Sequence, residues 1–114
     1  MQILNCYLEP GEENFKVERA KRVIDIVKDI IKQDAGAVVV VCGDFNNHIP
    51  NFYREFHFLD FARAIDPRTI THKLGGHLDQ IFVRGAEITN ALVNDGFDKE
   101  VTDHKCLKVT LKFK

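Results

Sequence analysis

Two side chains that could bind a common group follow the most apolar segment of the sequence. Asp44 and Asn46 come directly after a run of valines, within the tetrapeptide Gly-Asp-Phe-Asn. In extended chain, residues two apart point the same way, so a carboxylate acceptor and an amide donor could converge on one ligand. Open α/β sheets bind ligands beyond the carboxyl ends of such strands. Taken alone, the tetrapeptide is just as typical of an Asx turn that closes a strand.

An acid and a histidine further along the chain form a second possible site. Asp79 shares the parity of Ile81 and should face the apolar layer of its strand, where a carboxylate requires a partner. Asp103 and His104 stand side by side just before the last apolar segment, and such a pair suits a metal site or a proton-transfer site. We predict that Asp79 holds the ring of His104. Seen alone, an Asp-His pair is more often a loop cap beside a surface histidine.

Hydrophobic periodicity predicts the elements that must position these side chains. Apolar residues from Val17 to Ile31 recur at helical spacing after Asn14, the predicted N-cap, and the helix should end near Gly36. Strands are predicted at 1–8, 37–42, 78–83, 86–93 and 106–113, and residues 51–64 have room for a short helix. This order predicts an α/β protein with a mixed sheet.

The composition predicts one small intracellular domain. The chain has 114 residues, 45% of them hydrophobic, and a formal net charge of −1 without a polybasic run. Neither a membrane span of about 20 apolar residues nor a signal peptide is visible, so we expect no membrane association and a nuclear or cytoplasmic protein. Cys6, Cys42 and Cys106 lack metal-ligand spacing and are predicted to be reduced core thiols.

Taken together, four ordered motifs resemble the endonuclease/exonuclease/phosphatase superfamily, which has the DNase I-like fold. The resemblance spans almost the whole chain and implies a partial DNase I-like sandwich, a mixed sheet with one long helix packed on one face. The matching segments are Asn5-x-Tyr7-x-x-Pro10 for the N-x-Y-x-P strand, Gly43-Asp44-Phe45-Asn46 for G-D-x-N, Leu78-Asp79-Gln80-Ile81-Phe82-Val83 for the Asp-bearing strand and Thr102-Asp103-His104 for S-D-H.

This resemblance implies a phosphodiester hydrolase that uses Mg²⁺ or Mn²⁺ and an in-line attack by water. By analogy, Asp44 positions or deprotonates the water, and His104, oriented by Asp79, stabilises charge on the phosphoryl group. The chain lacks Trp and the inositol-phosphatase motif P-x-W-x-D-R, which favours a nuclease of retroelement type acting on nucleic acid. The remaining implied roles are Asn46 and Asn5 in substrate binding, Tyr7 beside the scissile phosphate and Asp103 as the metal ligand.

The sequence departs from the family pattern in one respect. The family domain has a first half, before the N-x-Y strand, that supplies an Asn and the principal metal-binding Glu. Three acids of this chain lie in a turn past that strand and are wrongly placed to replace the missing metal-binding Glu. They are Glu9, Glu12 and Glu13. Asp103 alone would bind Mg²⁺ weakly, so we expect a C-terminal half domain with weak or no activity by itself. The alternative is a non-catalytic structural or interaction subunit of a larger assembly.

A half domain should also leave apolar surface uncovered. In the family fold two sheets pack face to face, and the predicted helix can cover only one face of strands that are apolar on both parities, such as 38–41. Exposed apolar patches of that size are rare in monomers. We therefore expect either a homodimer or a partner chain that supplies the missing half.

Overall fold

The computed structural model describes residues 1–8, 12–46, 50–72, 75–94 and 102–113. Glu9 and Pro10, both considered from the sequence, lie outside these ranges. The described residues form six strands and two helices. In chain order these are β1 (Gln2–Tyr7), α1 (Glu13–Gln33), β2 (Val39–Asp44), α2 (Pro50–Phe58), β3 (Ala62–Arg63), β4 (Asp79–Arg84), β5 (Glu87–Asn94) and β6 (Cys106–Lys112).

Two sheets form the framework of the molecule. The larger has the strand order β1-β2-β4-β3, with β1 parallel to β2 and with β4 antiparallel to both β2 and β3. The smaller is the antiparallel pair β5–β6. The predicted mixed sheet is confirmed. The valine strand runs two residues further than predicted, so that Gly43 and Asp44 belong to it.

The helices pack on one face of the larger sheet. Ile24 and Val27 of α1 form a core with Val39 and Val41 of β2, because these strand residues share the parity that faces the helix. The predicted N-cap, Asn14, is wrong, because α1 begins at Glu13 and its N-cap, Glu12, makes no side-chain capping bond.

Helix α2 extends this core with aromatic rings. The ring of Phe56 stacks on Phe82 at a centroid distance of 4.5 Å and meets Phe61 edge to face at 5.1 Å. Phe56 and Phe61 are both buried in this core. Phe58 is an exception, with 71% of its surface exposed.

The smaller sheet covers the opposite face of β2 and β4. Val40, Ile81 and Val83 are buried in a second core, against the partly buried inner residues of β5 and β6 such as Val93 and Val109. The expectation that this face would lie open is therefore wrong for β2 and β4. The hairpin β5–β6 was predicted as two strands, but the periodicity of a strand does not indicate which sheet face it covers.

Strand β1 remains uncovered on that same face. Ile3 pairs with Val40 in the parallel register, yet 60% of its surface is exposed. Cys106 is also exposed, because it has the outward parity of β6, so the prediction of a third core thiol is wrong. No helix in the described ranges is both long enough and apolar enough to cross a membrane.

Candidate active site

Three neighbouring strands bring polar side chains into one row at the edge of the larger sheet. The β1–β2 register pairs Tyr7 with Asp44, and the β2–β4 register pairs Asp44 with Asp79. Paired residues point to the same face of a sheet, and here that face looks toward β6. Asn5 lies on the same face, two residues before Tyr7 and beside Cys42. The row thus joins predicted site residues that are far apart in sequence.

Gly43 permits the close approach of β1 and β2 just before this row. Its φ is +135°, and a Cβ at this position would collide with the backbone carbonyl of Cys6. Only glycine adopts such a conformation without strain in this crowded place. The glycine of the Gly-Asp-Phe-Asn motif thus allows Asp44 to stand beside Tyr7.

His104 completes the cluster from the segment before β6. Its Nδ1 lies 2.7 Å from Asp79 Oδ2, and its Nε2 lies 3.4 Å from Asp44 Oδ2. The predicted contact between Asp79 and His104 is confirmed. All three side chains are largely shielded, with exposed fractions of 31% for His104, 17% for Asp44 and 15% for Asp79.

The flanking carboxylates favour the protonated imidazole. Burial lowers the pKa of His104, but the hydrogen bond that its ring donates to Asp79 and the charges of Asp79, Asp44 and Asp103 outweigh this effect, and the net shift is upward. A neutral ring has a single N–H and could donate to only one of the two neighbouring carboxylates. The arrangement therefore pairs a cationic ring with acids on both sides.

Asp44 and Asn46 form the Asx turn that their spacing allowed. The backbone N–H of Asn46 donates to Asp44 Oδ1 at 2.8 Å, and Asn46 adopts a positive φ of 52°. The side-chain amide of Asn46 donates to the carbonyl of Leu8 at the end of β1. The turn interpretation is correct, and it leaves Asp44 Oδ2 to face His104.

The structure also places Thr71 and His72 at the site, which the sequence analysis missed. The Thr71 hydroxyl accepts hydrogen bonds from the N–H groups of Leu78 and Asp79, and its carbonyl accepts one from Lys105 N–H. His72 forms a β-bridge with His104, and the two rings meet edge to face at 4.8 Å. Nothing in the local sequence signals this bridge, because its partners are far apart and lie outside regular strands.

A depression of about 250 Å³ lies over the row, between the ends of the two sheets. Its lining includes Asn5, Asp44 and Asp79 from the larger sheet and Lys105 and Leu107 from the β6 side. A second depression of about 310 Å³ adjoins His104 and shares Lys105. Two acids, an amide and a cation thus surround a space large enough for a small polar group.

The donor set in this cluster suits a divalent cation. Asp44, Asp79 and His104 each offer one ligand atom, and these atoms lie within 4.8 Å of one another. Carboxylate oxygens are preferred by Mg²⁺, and an imidazole nitrogen is also accepted by Mn²⁺. Asp103, the metal ligand implied by the resemblance, is exposed beside His104 and is not part of this group.

Other polar and nucleophilic candidates lie apart from the cluster or are poorly suited to its chemistry. The ring of His77 is engaged by the Thr69 carbonyl at 2.7 Å, and His57 is exposed on α2. Burial raises the pKa of the Cys6 thiol, with a further rise from Cys42, and burial also raises the pKa of Cys42. Neither thiol is therefore favoured as a nucleophilic thiolate near neutral pH.

Comparison with known structures identifies the fold. The chain is similar to the human Nocturnin catalytic domain, whose structure was solved with a bound sulfate anion, with a TM-score of 0.64 and 21% sequence identity. The fold is DNase I-like. The match covers 95% of this chain and 46% of the Nocturnin chain, so the chain spans about half the length of that structure. No protein-family model and no curated protein matches the sequence.

The DNase I-like comparison confirms the fold class predicted from the four motifs. The partial sandwich with a mixed sheet and one long helix on one face agrees with the observed layers. The implied roles of Asp44, Asn46, Asp79 and His104 stay predictions, as do those of Asn5, Tyr7 and Asp103. The structure places these residues near one another at one end of the larger sheet.

Proposed function

We propose that this chain carries the C-terminal half of the active site of a metal-dependent phosphodiester hydrolase that acts on nucleic acid. The observation that carries the proposal is the placement of His104 between Asp79 and Asp44, at the end of three adjacent strands. A base, a cationic ring and a candidate metal site then line two depressions that share Lys105. The bound sulfate of the similar Nocturnin structure is consistent with a tetrahedral anion as ligand of this fold.

Each residue of the cluster has a role that follows from its contacts. Asp44 orients the attacking water through Oδ2 and accepts its proton. The 3.4 Å separation of Asp44 from His104 Nε2 is long for a hydrogen bond, so that N–H can turn to a phosphoryl oxygen. Asp79 keeps the ring in place through Nδ1. Preorganised charge and donors of this kind are what phosphoryl transfer chiefly requires.

The border of the depression would bind the substrate. Asn5 and Tyr7 lie on the same face of β1, and Tyr7 stands directly beside Asp44 in the β1–β2 register. Asn46 uses its amide on Leu8, yet an amide nitrogen carries two N–H groups, and the second can donate to a phosphate oxygen.

A divalent ion would be held by the carboxylates of Asp44 and Asp79, beside the cationic ring of His104, and Asp103 is close enough in sequence to add a ligand. When bound, Mg²⁺ or Mn²⁺ supplies charge neutralisation to the phosphoryl oxygens. Two carboxylates leave much of an octahedral shell to water, so binding by this chain should be weak. The further acid of a complete site would come from outside these residues, either from another segment or from a partner chain.

The test is a titration with Mn²⁺ in which NMR reports where the metal binds. Added Mn²⁺ should broaden the resonances of the His104 ring and the neighbouring amides first, and Asp44→Asn should weaken this effect by about tenfold because a charged ligand is lost. Asp25→Asn, an exposed acid on α1, is the matched control and should leave the broadening unchanged. Cleavage of a fluorescent oligonucleotide in Mg²⁺ should be slow or absent.

Two results would count against this proposal. Broadening that spreads over exposed acids without preference for His104 would favour the non-catalytic interaction subunit. Rapid Mg²⁺-dependent cleavage abolished by Asp44→Asn would support the chemistry but refute the statement that the site is incomplete in this chain.

A further inference from the structure

Lys105 is a cation of the depression for which neither the motifs nor the proposed mechanism has a use. It directly follows His104 and precedes β6, and it has the same parity as Leu107, Val109 and Leu111. Those residues pack toward the second core between the sheets. The parity of Lys105 therefore directs its stem to the inner side of β6, and the residue is partly buried.

Lys105 lines both depressions that adjoin His104. In the first it shares the lining with Asn5, Asp44 and Asp79, and in the second with Thr102 and His104. Among the described residues that line these two spaces, it is the one lysine or arginine. Its backbone is fixed by the hydrogen bond from Lys105 N–H to the Thr71 carbonyl, at 2.8 Å.

The charge of the cluster explains why a second cation is needed there. Asp44 and Asp79 contact the one histidine ring of the cluster and Asp103 directly precedes it, so the cluster is net acidic before any substrate arrives. A phosphodiester is anionic and would be repelled by such a site at the short distances involved. An ammonium on a flexible stem offers three donors and a positive charge, and it can reach an oxygen that a rigid ring cannot.

We propose that Lys105 is a substrate-binding residue whose ammonium binds a phosphate group of a nucleic acid strand in the depression over Asp44 and Asp79. The inference rests on the proposed function and extends it to the substrate side of the site. In this arrangement the phosphate contacts Asn5 on β1 and Lys105 just before β6. The space between the two sheets is then the binding cleft.

The experiment is an NMR titration of the metal-free full chain at low ionic strength, in which the amide chemical shifts report binding. Two probes are used, a single-stranded oligodeoxynucleotide and inorganic phosphate. Saturable shifts are expected at Asn5 and at 104–107 with both probes. Lys105→Gln should weaken oligonucleotide binding about tenfold, the loss expected for one charge-assisted hydrogen bond, and Lys105→Arg should restore most of it.

Lys108→Gln is the matched control. Lys108 lies on the same strand with the outward parity and is exposed, so its loss should change the affinity by less than about twofold. The dispersion of the amide spectrum shows in the same experiment whether each variant is folded.

Several outcomes would overturn the assignment of Lys105. These are equal losses from Lys105→Gln and Lys108→Gln, binding of inorganic phosphate without the oligonucleotide, and the absence of any saturable binding. The outcomes for the proposed function are separate, because they depend on Mn²⁺ broadening at His104. If Mn²⁺ broadens the His104 resonances as expected but Lys105→Gln leaves oligonucleotide binding unchanged, only this inference is refuted. If Lys105→Gln weakens oligonucleotide binding but Mn²⁺ shows no preference for His104, only the metal site is refuted.

Discussion

The charge state of His104 is set by two carboxylates that reach it from different strands. Asp79 starts β4 and Asp44 ends β2, and the antiparallel register makes them direct neighbours. Each faces a different nitrogen of the ring. Asp79 Oδ2 lies 2.7 Å from Nδ1, and Asp44 Oδ2 lies 3.4 Å from Nε2. A divalent ion on these carboxylates would repel the positive charge of the ring and so favour loss of its proton. Metal binding and proton release should thus be coupled here.

The raised pKa of His104 predicts a pH-dependent stability in the absence of metal. Because the folded pKa lies above the unfolded value of about 6.5, the protonated ring stabilises the fold fully below pH 6.5. This contribution is lost as the pH rises through the folded pKa. Urea unfolding in EDTA should therefore show a free energy of unfolding that falls from pH 6 to pH 8, and Asp79→Asn should flatten this decline.

The control is a histidine without these neighbours. His57 on α2 is exposed, and His57→Gln should preserve the slope of the wild type. A slope that survives in both Asp79→Asn and His104→Gln would show that other groups produce it.

Sequence reasoning found the acid-histidine pair but not its surroundings. The parity of Asp79 and the motif resemblance together placed its carboxylate against His104. His72 could not be found in this way, because its bridge to His104 joins two isolated residues and leaves no periodic pattern. The side-chain bond from Asn46 to Leu8 was equally hidden, since it depends on the parallel pairing of β1 with β2.

At the scale of elements, Thr71 ties the segments that carry the acid and the histidine. It is fully buried, and its hydroxyl and carbonyl together accept hydrogen bonds from Leu78, Asp79 and Lys105. The start of β4 and the start of β6 are thereby held at one point. The mutual position of Asp79 and His104 depends on this residue, which itself does not belong to a strand.

We expect Thr71→Val to destabilise the protein by about 2 kcal/mol, because two backbone N–H groups lose their acceptor while the side-chain shape is kept. Thr71→Ser keeps the oxygen and should cost less than about 1 kcal/mol for the lost methyl group. Urea unfolding measures both changes, and the His104 ring resonances should move in the valine variant alone. A serine variant less stable than the valine variant would contradict the role of the hydroxyl.

The elements were predictable where a single period dominates. The apolar stripe of α1 and the valine run of β2 gave the central helix and strand, with errors of two or three residues at their ends. The two-residue strand β3 is too short to form a pattern of its own and exists because it pairs with β4. The N-cap was misplaced because Asn14 is the better capping residue by type, whereas the helix begins one residue before it and its N-cap is Glu12.

At the scale of the whole molecule, the two sheets differ in extent. The larger sheet has four strands and the smaller has two, so β5–β6 shields β2 and β4 but leaves the inner face of β1 exposed. The chain also spans about half the length of the Nocturnin structure that it matches. The uncovered area is smaller than the sequence predicted, because the chain itself contributes one hairpin to the second layer.

The remaining open face predicts self-association through β1. Ile3 and Tyr7 are 60% and 66% exposed on the face next to the second sheet, and β1 is an edge strand whose outer backbone groups pair with no other strand of the described residues. Two copies that join along this edge would cover both features at once.

Sedimentation velocity at micromolar concentration should show a dimer, and Ile3→Asp should shift it to monomer while the chain stays folded. Phe58→Asp, an exposed apolar residue on α2, is the control and should leave the dimer intact. A wild-type chain that sediments as a monomer at these concentrations would rule out the homodimer and leave a different partner chain as the way to cover β1.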